Sequence, residues 1–158
     1  MGDQKRQPKM DNSGRSSGFT NSTAFSRFMS TTMAEQSHSI RVRYAETDQM
    51  GVAHHAAYVP WLEEARIEWL RAHNRSYRQL ESEGIFMPVI EMQVRYRRSL
   101  RFDDVVTLVT TATATGPTRI CFATRLTHGD ILCAEAEVTV AAIDATGKPQ
   151  RLPAGLII

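Results

Sequence analysis

One carboxylate lies a few residues before a predicted helix, and this pairing is the most informative feature of the chain. Asp48 belongs to the stretch 44–58, and Pro60 follows shortly after it. Proline has no N–H and its ring clashes with the carbonyl four residues back, so a helix tolerates it only in the first turn. The helix is therefore predicted to begin between His55 and Val59. Its first N–H groups lack partners, and together with the helix dipole they favour an anion or a developing oxyanion.

Asp48 is a candidate for two chemical roles. At neutral pH its carboxylate only accepts hydrogen bonds, and beside a helix start it could attack a carbonyl carbon or take a proton from water. The sequence does not separate these roles. The competing interpretation is an Asp that only caps a helix or a turn, which is a common structural use.

Two histidines stand at the predicted helix start. The His55 imidazole could donate a hydrogen bond to a carbonyl, orient water or protonate a leaving group, because histidine changes charge near neutral pH. The backbone N–H of His55 or Ala56 is the better candidate oxyanion donor, because a preorganised amide needs no reorganisation during the reaction. His54 is interpreted as a neighbour without a chemical role. Adjacent residues at a helix start point apart, so no metal site is expected from this pair.

The residues from 58 onward have the periodicity of a helix. Apolar side chains recur at the three- and four-residue spacing of one face, namely Tyr58, Trp61, Leu62, Ala65 and Trp69. The charged side chains are expected on the opposite face, namely Glu63, Glu64, Arg66, Glu68 and Arg71. Residues three apart are neighbours on a helix, so we expect ion pairs between Glu63 and Arg66 and between Glu68 and Arg71.

The remainder of the chain is predicted to form one short helix and a series of strands. Ser76 and Gln79 have the spacing of a capping box, which opens a helix. An early strand is predicted near 40–44, and alternating or Val- and Thr-rich stretches predict later strands over 90–97, 105–115, 118–127 and 131–143. Turn residues separate these stretches, so the strands form an antiparallel meander. The order predicts an α+β domain in which a curved antiparallel sheet wraps around one long helix.

The N-terminal part of the chain differs from the rest. Residues 1–37 are rich in Ser, Thr, Asn and Gly, and such a segment cannot bury enough apolar surface to offset the entropy of ordering. We expect a disordered extension over 1–37 and a single domain over 38–158. A Ser- and Arg-rich leader also fits an organelle transit peptide, although Asp3 and Asp11 weaken that interpretation. A start codon assigned too far upstream, or a disordered extension, is the plainer explanation.

Composition excludes several classes of protein. The net charge of +2 is too small to argue for nucleic-acid binding. No stretch approaches the roughly 18 apolar residues that a membrane helix needs, so no membrane span is expected. Cys121 and Cys133 are the only cysteines and do not make a disulfide framework, which favours a reducing, cytoplasmic location. Buried packing is the favoured role for both, over a catalytic or metal-binding thiol.

The stretch around Asp48 resembles a known family, the hot-dog-fold acyl-CoA thioesterases of the 4-hydroxybenzoyl-CoA thioesterase type. The family motif runs Tyr-x-Asp/Glu-Thr-Asp-x-x-Gly-Val-Val-x-His-x-x-Tyr and continues Trp-x-Glu-x-Ala-Arg. The matching residues are Tyr44, Glu46, Thr47, Asp48, Gly51, Val52, His55, Tyr58, Trp61, Glu63, Ala65 and Arg66. The resemblance covers roughly three quarters of the chain, which makes it far more specific than a short motif. The chain departs from the family at Ala53 and in the row 97–101.

This resemblance implies a hot-dog fold and the hydrolysis of an acyl-CoA thioester to a free acid and coenzyme A, without metal or cofactor. It implies Asp48 and His55 as catalytic residues. It also implies an oxyanion site and substrate pocket formed by His55, Ala56, Tyr58 and Glu63. Arginine forks suit phosphate, so Arg97, Arg98 and Arg101 are expected to bind coenzyme A, unless they only form a solvated strand face.

The resemblance also implies an assembly, with the site at a subunit boundary. A single sheet leaves two strand edges unpaired, and pairing equal edges about a two-fold axis covers them. We therefore expect a homodimer or a dimer of dimers. Two other functions compete: a hot-dog hydratase or dehydratase, against which the Glu46-Thr47-Asp48 arrangement argues, and a non-catalytic module that binds acyl-CoA or acyl carrier protein.

Overall fold

The protein is described from a computed structural model, which defines residues 34–156. Nine regular segments follow one another in this range. Two helices, α1 (Tyr58–Ala72) and α2 (Tyr77–Ser82), lie between the first strand and the others. The strands are β1 (Gln36–Arg41), β2 (Val89–Tyr96), β3 (Val105–Gly116), β4 (Arg119–His128) and β5 (Ile131–Ala141). Two 3₁₀ turns, Tyr44–Glu46 and His55–Ala57, connect β1 to α1.

The five strands form one antiparallel sheet in the order β1-β3-β4-β5-β2. α1 packs across β1, β3 and β4, because its apolar side chains have no other surface to cover. Trp69 of α1 is fully buried and meets the Phe122 ring of β4 edge-on, with 5.5 Å between ring centroids. The α+β architecture predicted from the strand order, a sheet wrapped on one long helix, is therefore confirmed.

The start of α1 follows the prediction made from Pro60. Pro60 is the third residue of α1, and the 3₁₀ turn His55–Ala57 leads directly into it. The second helix also begins as predicted. The Ser76 hydroxyl accepts from the Gln79 N–H at 3.2 Å, and the Gln79 side chain accepts from the Ser76 N–H at 3.0 Å, which completes a capping box.

One of the two ion pairs predicted on α1 is wrong. Glu68 and Arg71 do pair, but Arg66 is buried rather than on the exposed face. Its Nε donates to the Tyr77 hydroxyl at 2.7 Å, and its guanidinium lies 5.8 Å from the centre of the Tyr77 ring. Tyr77 is the first residue of α2, so this contact with the second helix draws Arg66 away from Glu63.

The first strand lies earlier than predicted. β1 ends at Arg41. Of the residues expected to continue it, 42 and 43 have no regular structure and Tyr44 opens the 3₁₀ turn, because the Glu46 carboxylate accepts from the Arg43 N–H at 2.8 Å and closes the chain on itself. β1 begins at Gln36, two residues before the expected start of the domain at 38. The expectation for residues 1–33 lies outside the described residues.

β2 is an edge strand, and its burial differs from the prediction. Met92 and Val94 are half-buried, whereas Ile90 is 48% exposed and Tyr96 51% exposed. β2 pairs only with β5, so its second edge has no neighbour within residues 34–156. The alternation of apolar and polar residues does mark a strand, but only the apolar side chains in the middle of that strand are covered. Over the same residues, neither helix is both long and apolar enough to cross a bilayer.

Candidate active site

A tight hairpin turn positions Asp48. Thr47 and Ala53 pair as an isolated antiparallel bridge, and the Gly51 N–H donates to the Asp48 carbonyl at 2.9 Å. Gly51 has a φ of +71°, a conformation that costs glycine little and other residues more. The Ala53 N–H also donates to the Leu100 carbonyl at 2.7 Å. The turn is therefore fastened to the segment that follows β2.

Glu46 anchors the base of this turn. Its buried carboxylate accepts from the Arg43 guanidinium at 2.7 Å and from the Trp61 indole N–H of α1 at 3.0 Å. Burial alone would raise the pKa of Glu46, but the hydrogen bonds from Arg43 and Trp61 outweigh it and lower that pKa. The Glu46 carbonyl accepts from the His54 N–H at 2.8 Å. Glu46 thus connects the turn, the helix start and the body of α1.

The Asp48 carboxylate uses only one of its oxygens in the turn. Oδ1 accepts from the Met50 N–H at 2.8 Å, whereas Oδ2 has no hydrogen-bond partner among residues 34–156. The side chain is half-buried. Asp48 therefore caps a turn, as one interpretation of the sequence held, but it also keeps a free oxygen that could act as nucleophile or base.

The amides at the helix start are not equally available. The Ala56 N–H donates to His54 Nδ1 at 3.2 Å, and the Ala57 N–H donates to the His54 carbonyl at 2.8 Å. The His55 N–H has no partner in the described part of the chain. Of the two amides considered from the sequence, that of His55 is therefore the one left free to donate to a ligand. The turn is also held from the sheet, because the Tyr96 hydroxyl donates to the His55 carbonyl at 3.2 Å.

A cavity of about 350 Å³ opens between the hairpin turn, the helix start and the end of β2. Five of the residues proposed from the sequence line it, namely Asp48, His55, Tyr58, Arg97 and Arg98. Its other lining residues are Met50, Val52, Ala53, Tyr96 and Ser99. The fold thus brings the carboxylate, the helix start and two arginines to one opening, although about fifty residues separate the turn from the arginines in sequence.

Two tyrosines form one wall of this cavity. Their rings meet edge-on, with 4.9 Å between the centroids of Tyr58 and Tyr96. Burial raises the pKa of Tyr58 to about 12, with smaller contributions from Cys133 and Tyr96. The Tyr58 hydroxyl therefore stays protonated and can donate a hydrogen bond. Tyr96 was expected on a strand, but its place in the site was not predicted, because it depends on the hydrogen bond to the His55 carbonyl.

The arginines differ in their surroundings. Arg97 is held by Glu135 of β5, with its Nη2 at 2.7 Å and its Nε at 3.0 Å from the carboxylate. Arg98 is exposed and makes one long hydrogen bond of 3.4 Å, to the Arg97 carbonyl. Arg101 does not line the cavity, and its Nη1 lies 3.5 Å from the Gly51 carbonyl on the outside of the turn. Arg98 is thus the arginine that is free at the opening.

Two other residues proposed from the sequence do not line the cavity. Ala56 follows His55 in the 3₁₀ turn, and Glu63 is exposed one helical turn further along α1. No three His, Cys, Asp or Glu side chains of residues 34–156 are grouped as metal ligands would be.

A larger cleft of about 630 Å³ lies elsewhere, between α2 and the turn at 144–147. Neither histidine nor arginine is among the described residues that line it, whereas the smaller cavity is lined by His55, Arg97 and Arg98. The side chains that line the smaller cavity therefore favour it as the candidate active site.

Known proteins resemble this chain in both sequence and fold. The sequence profile of the thioesterase superfamily matches residues 50–135. The acyl-CoA thioester hydrolase YbgC of Escherichia coli is 37% identical over 120 residues, which are 75% of this chain and 90% of that protein. A probable thioesterase from Bartonella henselae superposes with a TM-score of 0.72 at 32% identity, over 76% of this chain and 100% of that one. The DHNA-CoA thioesterase from Staphylococcus aureus gives a TM-score of 0.72 at 30% identity, over 76% and 82% of the two chains.

These likenesses agree with the resemblance seen in the motif around Asp48. The profile match begins inside the hairpin turn and ends in β5, so it spans the helix start, α1 and most of the sheet. It covers more than half of the chain. This chain therefore belongs to the thioesterase superfamily, and it is a thioester hydrolase with the hot-dog fold.

Proposed function

We propose that the protein hydrolyses acyl-CoA thioesters to a free acid and coenzyme A, with Asp48 as nucleophile or general base and the His55 N–H as oxyanion donor. One observation carries this proposal: a carboxylate with a free oxygen and a residue with a free helix-start amide line the same cavity. Thioester hydrolysis needs both, because negative charge develops on the carbonyl oxygen as the carbon is attacked.

Two routes give the same products. As a base, Asp48 takes a proton from water, the hydroxide adds to the carbonyl carbon, and the carbon–sulfur bond breaks with departure of the thiolate. As a nucleophile, the Asp48 oxygen adds to the carbonyl carbon and the thiolate leaves, and water then cleaves the resulting anhydride. In both routes the His55 imidazole can protonate the departing thiolate, and the neutral Tyr58 hydroxyl can donate to the substrate.

The coenzyme part of the substrate is proposed to bind at Arg98, which is exposed at the cavity and carries no carboxylate partner within residues 34–156. Arg97 takes part only if it exchanges Glu135 for phosphate, which is feasible because the Arg97 side chain is about half exposed and ion pairs near the surface contribute little. Arg101 supports the hairpin turn. We expect Arg98→Ala to raise KM for an acyl-CoA about tenfold with little change in kcat, and to leave KM for an acyl-N-acetylcysteamine unchanged, because that thioester has no phosphate. Equal KM changes for both substrates would contradict this role.

The active protein is proposed to be a homodimer or a dimer of dimers, joined along the free edge of β2. Ile90 and Val89 on this strand are exposed, as is Val59 at the start of α1. An exposed edge with apolar side chains is a liability unless a partner covers it. Glu63 lies on the exposed side of α1 and could then face the partner's site. Light scattering should give at least twice the 17.8 kDa of one chain, and a fully active monomer would overturn the assembly.

Thiol release from a panel of short, long, branched and aromatic acyl-CoAs tests the proposed function. A hydrolase releases free thiol and acid together. A binding module would retain acyl-CoA without releasing thiol, and a hydratase would change an enoyl-CoA while leaving its thioester intact. A reducing, cytoplasmic location remains part of the proposal, because Cys121 and Cys133 are both free thiols.

A further inference from the structure

His54 is held in place more firmly than its neighbours at the helix start. Its backbone N–H donates to the Glu46 carbonyl at 2.8 Å, and its own carbonyl accepts from the Ala57 N–H at 2.8 Å. Its imidazole Nδ1 accepts from the Ala56 N–H at 3.2 Å. The ring also packs on the His55 ring, with 4.0 Å between the centroids and 37° between the planes.

These contacts define the chemical form of the His54 side chain. A backbone N–H can only donate, so Nδ1 must carry a lone pair and no hydrogen. The side chain therefore accepts this hydrogen bond through Nδ1. In this form it serves as the N-cap of the turn, a position at which Ser, Thr, Asp or Asn usually provides the acceptor.

The capping decides which amide remains free. Three N–H groups, those of His55, Ala56 and Ala57, open the helix start. His54 takes the Ala57 amide with its carbonyl and the Ala56 amide with its side chain. The His55 amide is the one of the three without a partner among the described residues.

We infer that His54 is a positioning residue that presents the His55 N–H as the single amide for the substrate carbonyl, by satisfying the Ala56 N–H and by packing against the His55 ring. The inference rests on the proposed function. Without the cap, the Ala56 N–H competes with the His55 N–H for the substrate carbonyl oxygen, and the turn loses the hydrogen bond that fixes it. Misplacing a catalytic group by about 1 Å can cost on the order of a hundredfold in rate.

Three substitutions at His54 separate the effect of its hydrogen-bond acceptor from the effect of its aromatic ring. His54→Phe keeps an aromatic ring but has no acceptor, His54→Asn keeps a side-chain acceptor without the ring, and His54→Ala has neither. We expect His54→Phe and His54→Ala to lower kcat at least tenfold with KM changed less than about threefold, because the loss falls on the transition state. His54→Asn should keep at least about a third of kcat, since Asn is among the best N-caps.

His73→Phe is the matched control. His73 also packs on an aromatic neighbour, with 3.8 Å between its ring centre and that of Trp69, and its Nδ1 lies 2.7 Å from the Trp69 carbonyl. It lies at the opposite end of α1, outside the cavity. This variant should therefore leave kcat unchanged, whatever it does to the thermal midpoint.

Amide hydrogen exchange measured by NMR provides a readout that does not depend on activity. The Ala56 N–H should be protected in the wild type and in His54→Asn, and should exchange at least about tenfold faster in His54→Phe. Wild-type kcat in His54→Phe, or a His54→Asn variant as slow as His54→Phe, would overturn the inference. So would an unprotected Ala56 amide in the wild type. A wild-type protein that releases no thiol but protects Ala56 would refute the proposed function while leaving the capping intact.

Discussion

Replacing the Asp48 carboxylate by an amide is the sharpest test of the proposed chemistry. In Asp48→Asn the side-chain oxygen can still accept from the Met50 N–H, which is now 2.8 Å from Oδ1. The free Oδ2 is replaced by an NH₂ group, which can neither attack carbon nor take a proton from water. The change therefore removes the proposed chemistry and keeps the cap of the hairpin turn.

The two contributions of Asp48 differ greatly in size. A weakened hydrogen bond in the turn costs about 1 kcal/mol. If all of that energy were added to the activation barrier, the rate would fall roughly fivefold. Loss of nucleophilic or general-base catalysis is expected to lower kcat by about a thousandfold, or about 4 kcal/mol. The rate of the variant therefore distinguishes a catalytic Asp from one that only caps the turn.

Asp144→Asn is the matched control for this experiment. Asp144 also caps a tight turn, with its Oδ1 at 2.8 Å from the Thr146 N and 3.0 Å from the Lys148 N, but it lies outside the cavity with Asp48. Thiol release should be near the wild-type rate in this variant and nearly abolished in Asp48→Asn, with similar thermal midpoints for both. An Asp48→Asn protein that keeps a third of wild-type activity would refute the assignment.

Three further predictions concern the helix start, the anchor of the turn and the N-terminal segment. His55→Ala keeps the backbone N–H and should lower kcat by roughly ten- to a few-hundredfold; a variant as inactive as Asp48→Asn would make the imidazole central. Glu46→Gln should lower the free energy of unfolding by about 1–2 kcal/mol in urea titrations at neutral pH. The pKa of Glu46 is below its ordinary value of 4.5 in the folded protein. The stability that the Glu46 carboxylate contributes is therefore complete above pH 4.5 and is lost as the pH falls below it. The difference in unfolding free energy between wild type and Glu46→Gln should shrink on acidification, and a constant difference would contradict this. Deleting residues 1–33 should leave kcat and the thermal midpoint little changed, because that segment has few apolar residues to bury; the cut stops there because the Ala34 carbonyl accepts from the Trp69 indole N–H at 3.1 Å.

Local patterns in the sequence predicted the elements that depend on neighbouring residues. Pro60 restricts the start of α1 through the geometry of its own ring, and Ser76 with Gln79 closes a capping box within one turn. The period of the apolar residues predicted α1 and the strands, because one face of each must cover the core. The order of these elements then left few arrangements for the sheet.

Contacts between distant segments account for the predictions that differ from the structure. Arg66 turns from Glu63 to the hydroxyl of Tyr77, which belongs to α2. The strand predicted near 40–44 ends early because Glu46, held by Trp61 of α1, closes a turn there. Neither outcome can be read from spacing, since each depends on a partner brought close only by folding.

The same division applies to the site. The motif around Asp48 and the helix dipole led to a predicted carboxylate and a predicted oxyanion position from the sequence alone, and both stay predictions. Only the tertiary structure decided which side chains from separate elements meet at the site: Glu135 holds Arg97, and Tyr96 reaches the helix start from β2. Residue type determines which hydrogen bonds a group can make, whereas the packing of separate elements determines which partners lie within reach.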